Sequence, residues 1–174
     1  MNVYDLTVPQ FIRLLGQVHR WLDKAQAYAE QKKFDVQVLL GSRLAPDQFH
    51  FTRQIQALSD LTKNTAARLA GVEPPRFEDN EVTIAEVRAR VDKTIDWLKT
   101  LQREQFEGAE ARHITLFFAP GKYMEGGAYL LEFVLPNVYF HATAAYSILR
   151  ANGVELGKME FLGALSLHDV EPQK

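Results

Sequence analysis

A chain of 174 residues, 47% hydrophobic and 24% charged, has the composition of one folded globular domain. Its net charge of −2, with basic residues scattered along the chain, excludes the gathered Lys and Arg footprint of a nucleic-acid binder. Cysteine is absent, so disulfides, thiolate metal sites and cysteine nucleophiles are excluded, and any metal site must use His, Asp, Glu or water.

The opening "MNVYDLTVPQF" lacks a charged region followed by an apolar run, so it does not read as a signal peptide. No apolar stretch reaches the roughly 20 residues of a membrane span, and Pro136 with Asn137 interrupts the longest one. A cytoplasmic protein without nucleic-acid or membrane partners is the expectation.

Segment 8–31 predicts a first helix, with Thr7 as N-cap and Pro9 in the first turn. Its inner face is Phe11, Leu15, Val18, Leu22, Ala25 and Ala29. Residues 34–41, "FDVQVLLG", predict one or two helical turns. A second long helix is expected over 47–70, with Phe51, Ile55, Leu58, Thr62, Thr65 and Leu69 inside and Gly71 as its stop. "VEPPRFEDNE" reads as a crossover linker, with two prolines and an acidic run. Thr83 and Glu86 have capping-box spacing for a third helix over 84–102 that buries Ile84, Val87, Val91, Ile95, Leu98 and Leu101.

The texture then changes to a period of two. Ile114, Leu116 and Phe118 alternate with His113, Thr115 and Phe117, "APGK" is a turn, and "YMEG" is a return strand. A fourth helix, 127–151, is the most apolar and ends at Gly153. The fold class is therefore all-α, an up-down four-helix bundle with a small β-hairpin before the last helix. Residues 1–165 form one domain, and 166–174 form a flexible C-terminal tail whose preceding apolar residues pack back.

"LPNVYFHATAAYSILR", residues 135–150, places Asn137 and His141 four apart in a nearly apolar stretch. With roughly 100° per residue, Asn137, Val134, Val138, Ala145 and Ile148 all fall within roughly 60° of His141. Glu132, Thr143, Ser147 and Arg150 fall on the opposite, solvent side. Both polar residues thus face the core or a cavity and must be satisfied there, since an unpartnered buried polar group costs about 1–3 kcal/mol. Three readings stay open: a polar pair satisfied within the core, for example by Gln54; a ligand pocket between helices; and a metal site, for which His141 is the one good ligand. Trp21, Phe51 and Tyr129 are the apolar walls such a pocket would have.

"RLAPDQF", "RQIQ" and "LPNVYFHATAAYSILRANGVELGK", in that order, resemble an uncharacterised bacterial family within the DinB-like superfamily of helical bundles, over residues 3–165. Metal-binding members of that superfamily carry His-x-x-x-His on the last helix and a third histidine on the second. The resemblance puts Asn137 and His141 at the two last-helix positions. It leaves no histidine in "IQALSDL", where Ser59 or Asp60 lies nearest and Asp60 is expected to face water. Some members activate a low-molecular-weight thiol on zinc or nickel. Asn is a poor ligand for either metal, so the resemblance implies a bundle with a degenerate metal site, lined by Asn137, His141 and Gln54.

The remaining histidines and serines carry less. His19 reads as a boundary residue. His50, near the start of the second long helix, could pair with His141 as a two-histidine metal site. His113 reads as solvated, His168 lies in the tail and carries no role, and Ser42 and Ser59 lack a nucleophile motif. Tyr139, Phe140 and Tyr146 put bulk on the outer side of the last helix, which predicts a cover from the hairpin or from a second copy, a homodimer. Three functions follow as expectations. The first is a small-molecule-binding bundle. The second is a metal-dependent (Zn or Ni) thiol S-transferase or hydrolase using His141. The third is a non-catalytic interaction protein.

Overall fold

The computed structural model describes residues 2–170, so Met1 and the last four residues of the expected tail lie outside it. In chain order it holds α1 (Val3–Lys32), α2 (Gln37–Leu40), α3 (Phe51–Ala70), α4 (Ile84–Lys99), β1 (His113–Thr115) and β2 (Tyr123–Glu125). A continuous helix α5 (126–151) and a short α6 (Lys158–Leu162) complete it.

α1 begins a turn and a half earlier than expected. Asn2 is its N-cap: its Oδ1 accepts from Tyr4 N at 2.8 Å, while Asp5 Oδ2 accepts from Asn2 N at 3.0 Å, a reciprocal capping box. Thr7 is not a cap. It is buried inside the helix and its hydroxyl donates to Val3 O at 2.7 Å. Pro9 removes a donor to Asp5 O, and Gln10 Nε2 approaches that carbonyl at 3.4 Å instead. α3 starts later than expected, at Phe51, because residues before His50 are spent in turns. The Thr83–Glu86 capping box of α4 forms as its spacing predicts.

Cross-helix contacts set the directions. His19 faces Asp92 and Asp23 faces Arg88, so α1 and α4 are antiparallel. Gln54 meets His141 and Thr65 meets Tyr129, so α3 and α5 are antiparallel. Gly153, just past α5, lies against Tyr28 near the end of α1, which makes those two helices parallel. The order is up, down, down, up, with α3 and α4 parallel and joined by the crossover 71–83. Extended chain of that length reaches about 40 Å, more than the about 30 Å of a 20-residue helix.

The expected inner faces of α1 and α3 are buried throughout, and that of α4 is buried except for half-buried Ile84. The hairpin pairs His113 with Glu125 and Thr115 with Tyr123 in antiparallel register, and it leans on the bundle through Ile114 and Leu116. Phe118, expected to share that face, is exposed with Phe117 at the tip. Gly126 opens α5 against the Ala109 carbonyl, where any Cβ would collide. A π-helical segment, Tyr129–Val134, interrupts α5 just before Pro136. The wider turn removes the demand for a Pro136 donor and relieves the ring's clash with the preceding carbonyl.

The segment after α5 packs back. Val154 and Leu156 are buried, Phe161 stacks on Trp21 at 5.6 Å, and Trp21 Nε1 donates to Glu160 O at 2.8 Å. Tyr146 is therefore covered by its own chain, edge-on to Trp21 and Phe161 with its hydroxyl donating to Leu156 O, rather than by the hairpin or a second copy. No helix among the described residues is long and apolar enough to cross a membrane.

Candidate functional site

Gln54 projects from the end of the first turn of α3 and is fully buried; His141 projects from α5 and is half-buried. The two side chains meet at 2.8 Å, His141 Nδ1 to Gln54 Oε1. A carboxamide oxygen only accepts, so the imidazole proton sits on Nδ1 and Nε2 carries the free lone pair. The amide is held in that orientation because Gln54 Nε2 donates to Phe49 O at 3.1 Å. A chain from backbone through amide to imidazole thus fixes both the ring and its tautomer.

The surroundings keep the ring neutral. Burial pushes the His141 pKa below the usual histidine range, and the Arg53 guanidinium pushes it the same way. Phe49 lies nearly parallel to the imidazole, 8° between planes with centroids 6.4 Å apart, and Phe140 meets it edge-on at 5.3 Å. Arg53 lies over the Phe49 ring at 5.4 Å and pairs with Asp79. Phe49 and Phe140 are both about half exposed, so the imidazole sits at an aromatic edge rather than in a closed chamber.

Of the residues expected at the site, Gln54 and His141 come together. Asn137 is half-buried and makes no side-chain hydrogen bond among the described residues, so it does not join the pair. His50 is the N-cap of α3. Its Nδ1 lies 3.1 Å from Leu40 O and 3.4 Å from Arg53 N; one nitrogen cannot donate to the first and accept from the second, and the shorter contact is the better hydrogen bond. Either way its Nδ1 serves the backbone. Trp21, Phe51 and Tyr129 are fully buried core; the Tyr129 hydroxyl accepts from Arg68 at 3.2 Å. Asp60, expected in water, pairs with buried Arg90 and Lys63. His19 sits at the boundary with Nε2 2.9 Å from Asp92. His113 stacks on Tyr123.

Five cavities among the described residues are lined without Gln54, Asn137 or His141. The nearest, a groove on the outer face of α5, is lined by Leu44, Gln48, Tyr139, Phe140, Thr143 and Ala144. Phe49, Arg53 and Phe140 were not expected at the site. Phe49 precedes the N-cap, where helical spacing has no say, and Phe140 and Arg53 lie one position from the inner face.

The metal that the superfamily resemblance implies does not fit these donors. His141 offers one free nitrogen, Gln54 Oε1 already accepts the hydrogen bond from His141 Nδ1, and Asn137 is a neutral amide. Among the described residues no three His, Cys, Asp or Glu side chains gather as a ligand set. A zinc or nickel centre wants three or four, with imidazole or thiolate prominent.

An up-down-down-up bundle with a hairpin before its last helix is a bundle of the DinB type. The chain belongs to the family described as "Domain of unknown function (DUF1993)", whose model matches residues 3–162. A solved structure of a DinB family member protein from Shewanella denitrificans is 43% identical and superposes with a TM-score of 0.94. That match covers 97% of this chain and 96% of the other. Comparison with curated proteins returns no match.

Proposed function

We propose that this chain is a small-molecule-binding bundle with a degenerate metal site, and that His141 Nε2 is the acceptor around which its ligand is held. The observation that carries this reading is the 2.8 Å His141–Gln54 contact, backed by Gln54 Nε2 on Phe49 O. It fixes a neutral imidazole with one free lone pair beside two half-exposed aromatic rings. Such an edge suits a ligand with a planar apolar part and a hydrogen-bond donor. Gln54 orients the imidazole, and Phe49 and Phe140 supply the apolar walls.

Metal content of the untagged protein, purified without chelator, tests it together with the His141→Ala variant. The expected outcome is less than stoichiometric zinc and nickel in both, a melting temperature indifferent to EDTA, and small-molecule thermal-shift hits lost in His141→Ala. Near-stoichiometric zinc or nickel that disappears in the variant overturns the reading in favour of a metal-dependent thiol transferase or hydrolase. No metal and no hits leave the non-catalytic interaction protein.

A further inference from the structure

The crossover 71–83 lies across the α3/α4 pair, and charge holds it there. Arg90 of α4 is 1% exposed, and Lys63 of α3 is nearly as buried. Arg90 Nη1 donates to Glu78 O and to the Glu81 carboxylate, both at 2.9 Å, and Nη2 bridges Asp79 and Asp60 at 2.9 Å each. Lys63 Nζ donates to Pro75 O at 2.7 Å and stands 4.1 Å from the centroid of the Phe77 ring. Arg53 pairs with Asp79, and Gln56 Nε2 donates to Glu81 at 2.8 Å.

Apolar attachment is nearly absent. Val72 and Val82 at the two ends are exposed, Phe77 is half-buried, and no crossover residue belongs to the buried core. No backbone–backbone hydrogen bond ties residues 73–81 to either helix. The hydrophobic term that holds the helices together therefore does not hold this segment. Buried ion pairs are a weak substitute, because the cost of drying both charges offsets most of their attraction. Lifting the segment returns Arg90, Lys63, Asp79 and Glu81 to water together. Asp60 stays on α3 beside both cations, so the opened face is not left with bare positive charge.

We propose that the crossover is a latch: residues 73–81 open as a unit while the four helices and their caps stay packed, and the acidic run 78–81 is the resident anion of a cationic trough formed by Arg53, Lys63 and Arg90. Local opening of this kind is a property of segments with few apolar contacts and no backbone ladder.

Trypsin on the intact chain tests this, because Arg76 is exposed in mid-segment. The readout is the rate at which a new N-terminus at Phe77 appears by mass spectrometry. The expected rate is nearly independent of sub-denaturing urea, since a local opening exposes little surface. Glu81→Gln and the milder Asp79→Asn should each raise that rate about tenfold with melting shifted by only a few degrees. Cleavage that follows the urea slope of global unfolding overturns the latch. So does a rate unchanged in both variants. If Glu81→Gln does not fold, Asp79→Asn and the urea slope of the unaltered protein decide the matter.

Discussion

At the scale of single residues, the chemistry concentrates on one imidazole. His141 has its pKa lowered by burial and by Arg53, so folding favours the neutral ring. Between the folded value and the unfolded 6.5 the unfolded chain binds more protons, so stability rises with pH there. The stabilisation is present above 6.5 and is lost as pH falls through that value toward the folded one. Melting at pH 7.5 and at 5.5 should therefore show a drop that is smaller in His141→Ala; an equal drop in both would assign it to other groups. Gln54→Leu leaves His141 Nδ1 and Phe49 O without their partner, a loss of about 1–3 kcal/mol measurable by urea unfolding. It should also broaden the His141 ring resonances in NMR, because the ring is no longer held. The histidine and its buried side were legible from helical spacing, and Gln54 was legible as a core-facing amide. Their grouping was expected with Asn137 as a third member; the direct bond between residues 54 and 141, and the absence of Asn137 from it, were set by antiparallel packing of α3 on α5. Nor was the role of His50 legible, whose Nδ1 is committed to backbone by the turn before α3.

At the scale of elements, junctions decide more than helices. Gly126 starts α5 so close to the Ala109 carbonyl that Gly126→Ala must displace backbone. Overpacking of this sort costs about 1–3 kcal/mol, and urea unfolding should show it; a neutral substitution would mean that the 3-10 turn at Ala109–Ala111 yields freely. α6 is held by polar contacts as well as aromatic ones. Lys24 Nζ at 2.8 Å and Gly157 N at 2.8 Å draw the Glu160 carboxyl down to about 2. A depressed carboxyl stabilises above its ordinary 4.5, and that contribution is lost as pH falls from there toward about 2. Trp21 reports the docking of α6 through its bond to Glu160 O. In a Trp97→Phe background, Trp21 emission should shift to the red as pH falls through that window, and Glu160→Gln should show the shift already at neutral pH. An unmoved spectrum in the variant would mean that Phe161 and Tyr146 suffice to hold α6.

At the scale of the whole molecule, the outer face of α5 leaves an apolar region uncovered near the site. Tyr139 and Phe140 are each more than half exposed, with Leu44 beside them across the groove. Exposed patches of this kind mark contact surfaces, and they support the homodimer as a proposal. Light scattering at high concentration should give twice the chain mass, reduced to one in a Tyr139→Ser, Phe140→Ser double variant; strictly monomeric scattering of the unaltered protein removes the proposal.

The sequence by itself determined the four amphipathic helices, the hairpin, the capping box at Thr83 and the need for a crossover. These follow from periodicities and short-range hydrogen bonds that operate within a few residues of chain. The tertiary structure alone decided what lies across from what. Tyr146 is covered by the chain's own end, Asp60 is drawn from water to Arg90, and the acidic crossover is seated on two buried cations. Each of these joins residues far apart in sequence, and no local pattern encodes a partner that only packing brings near.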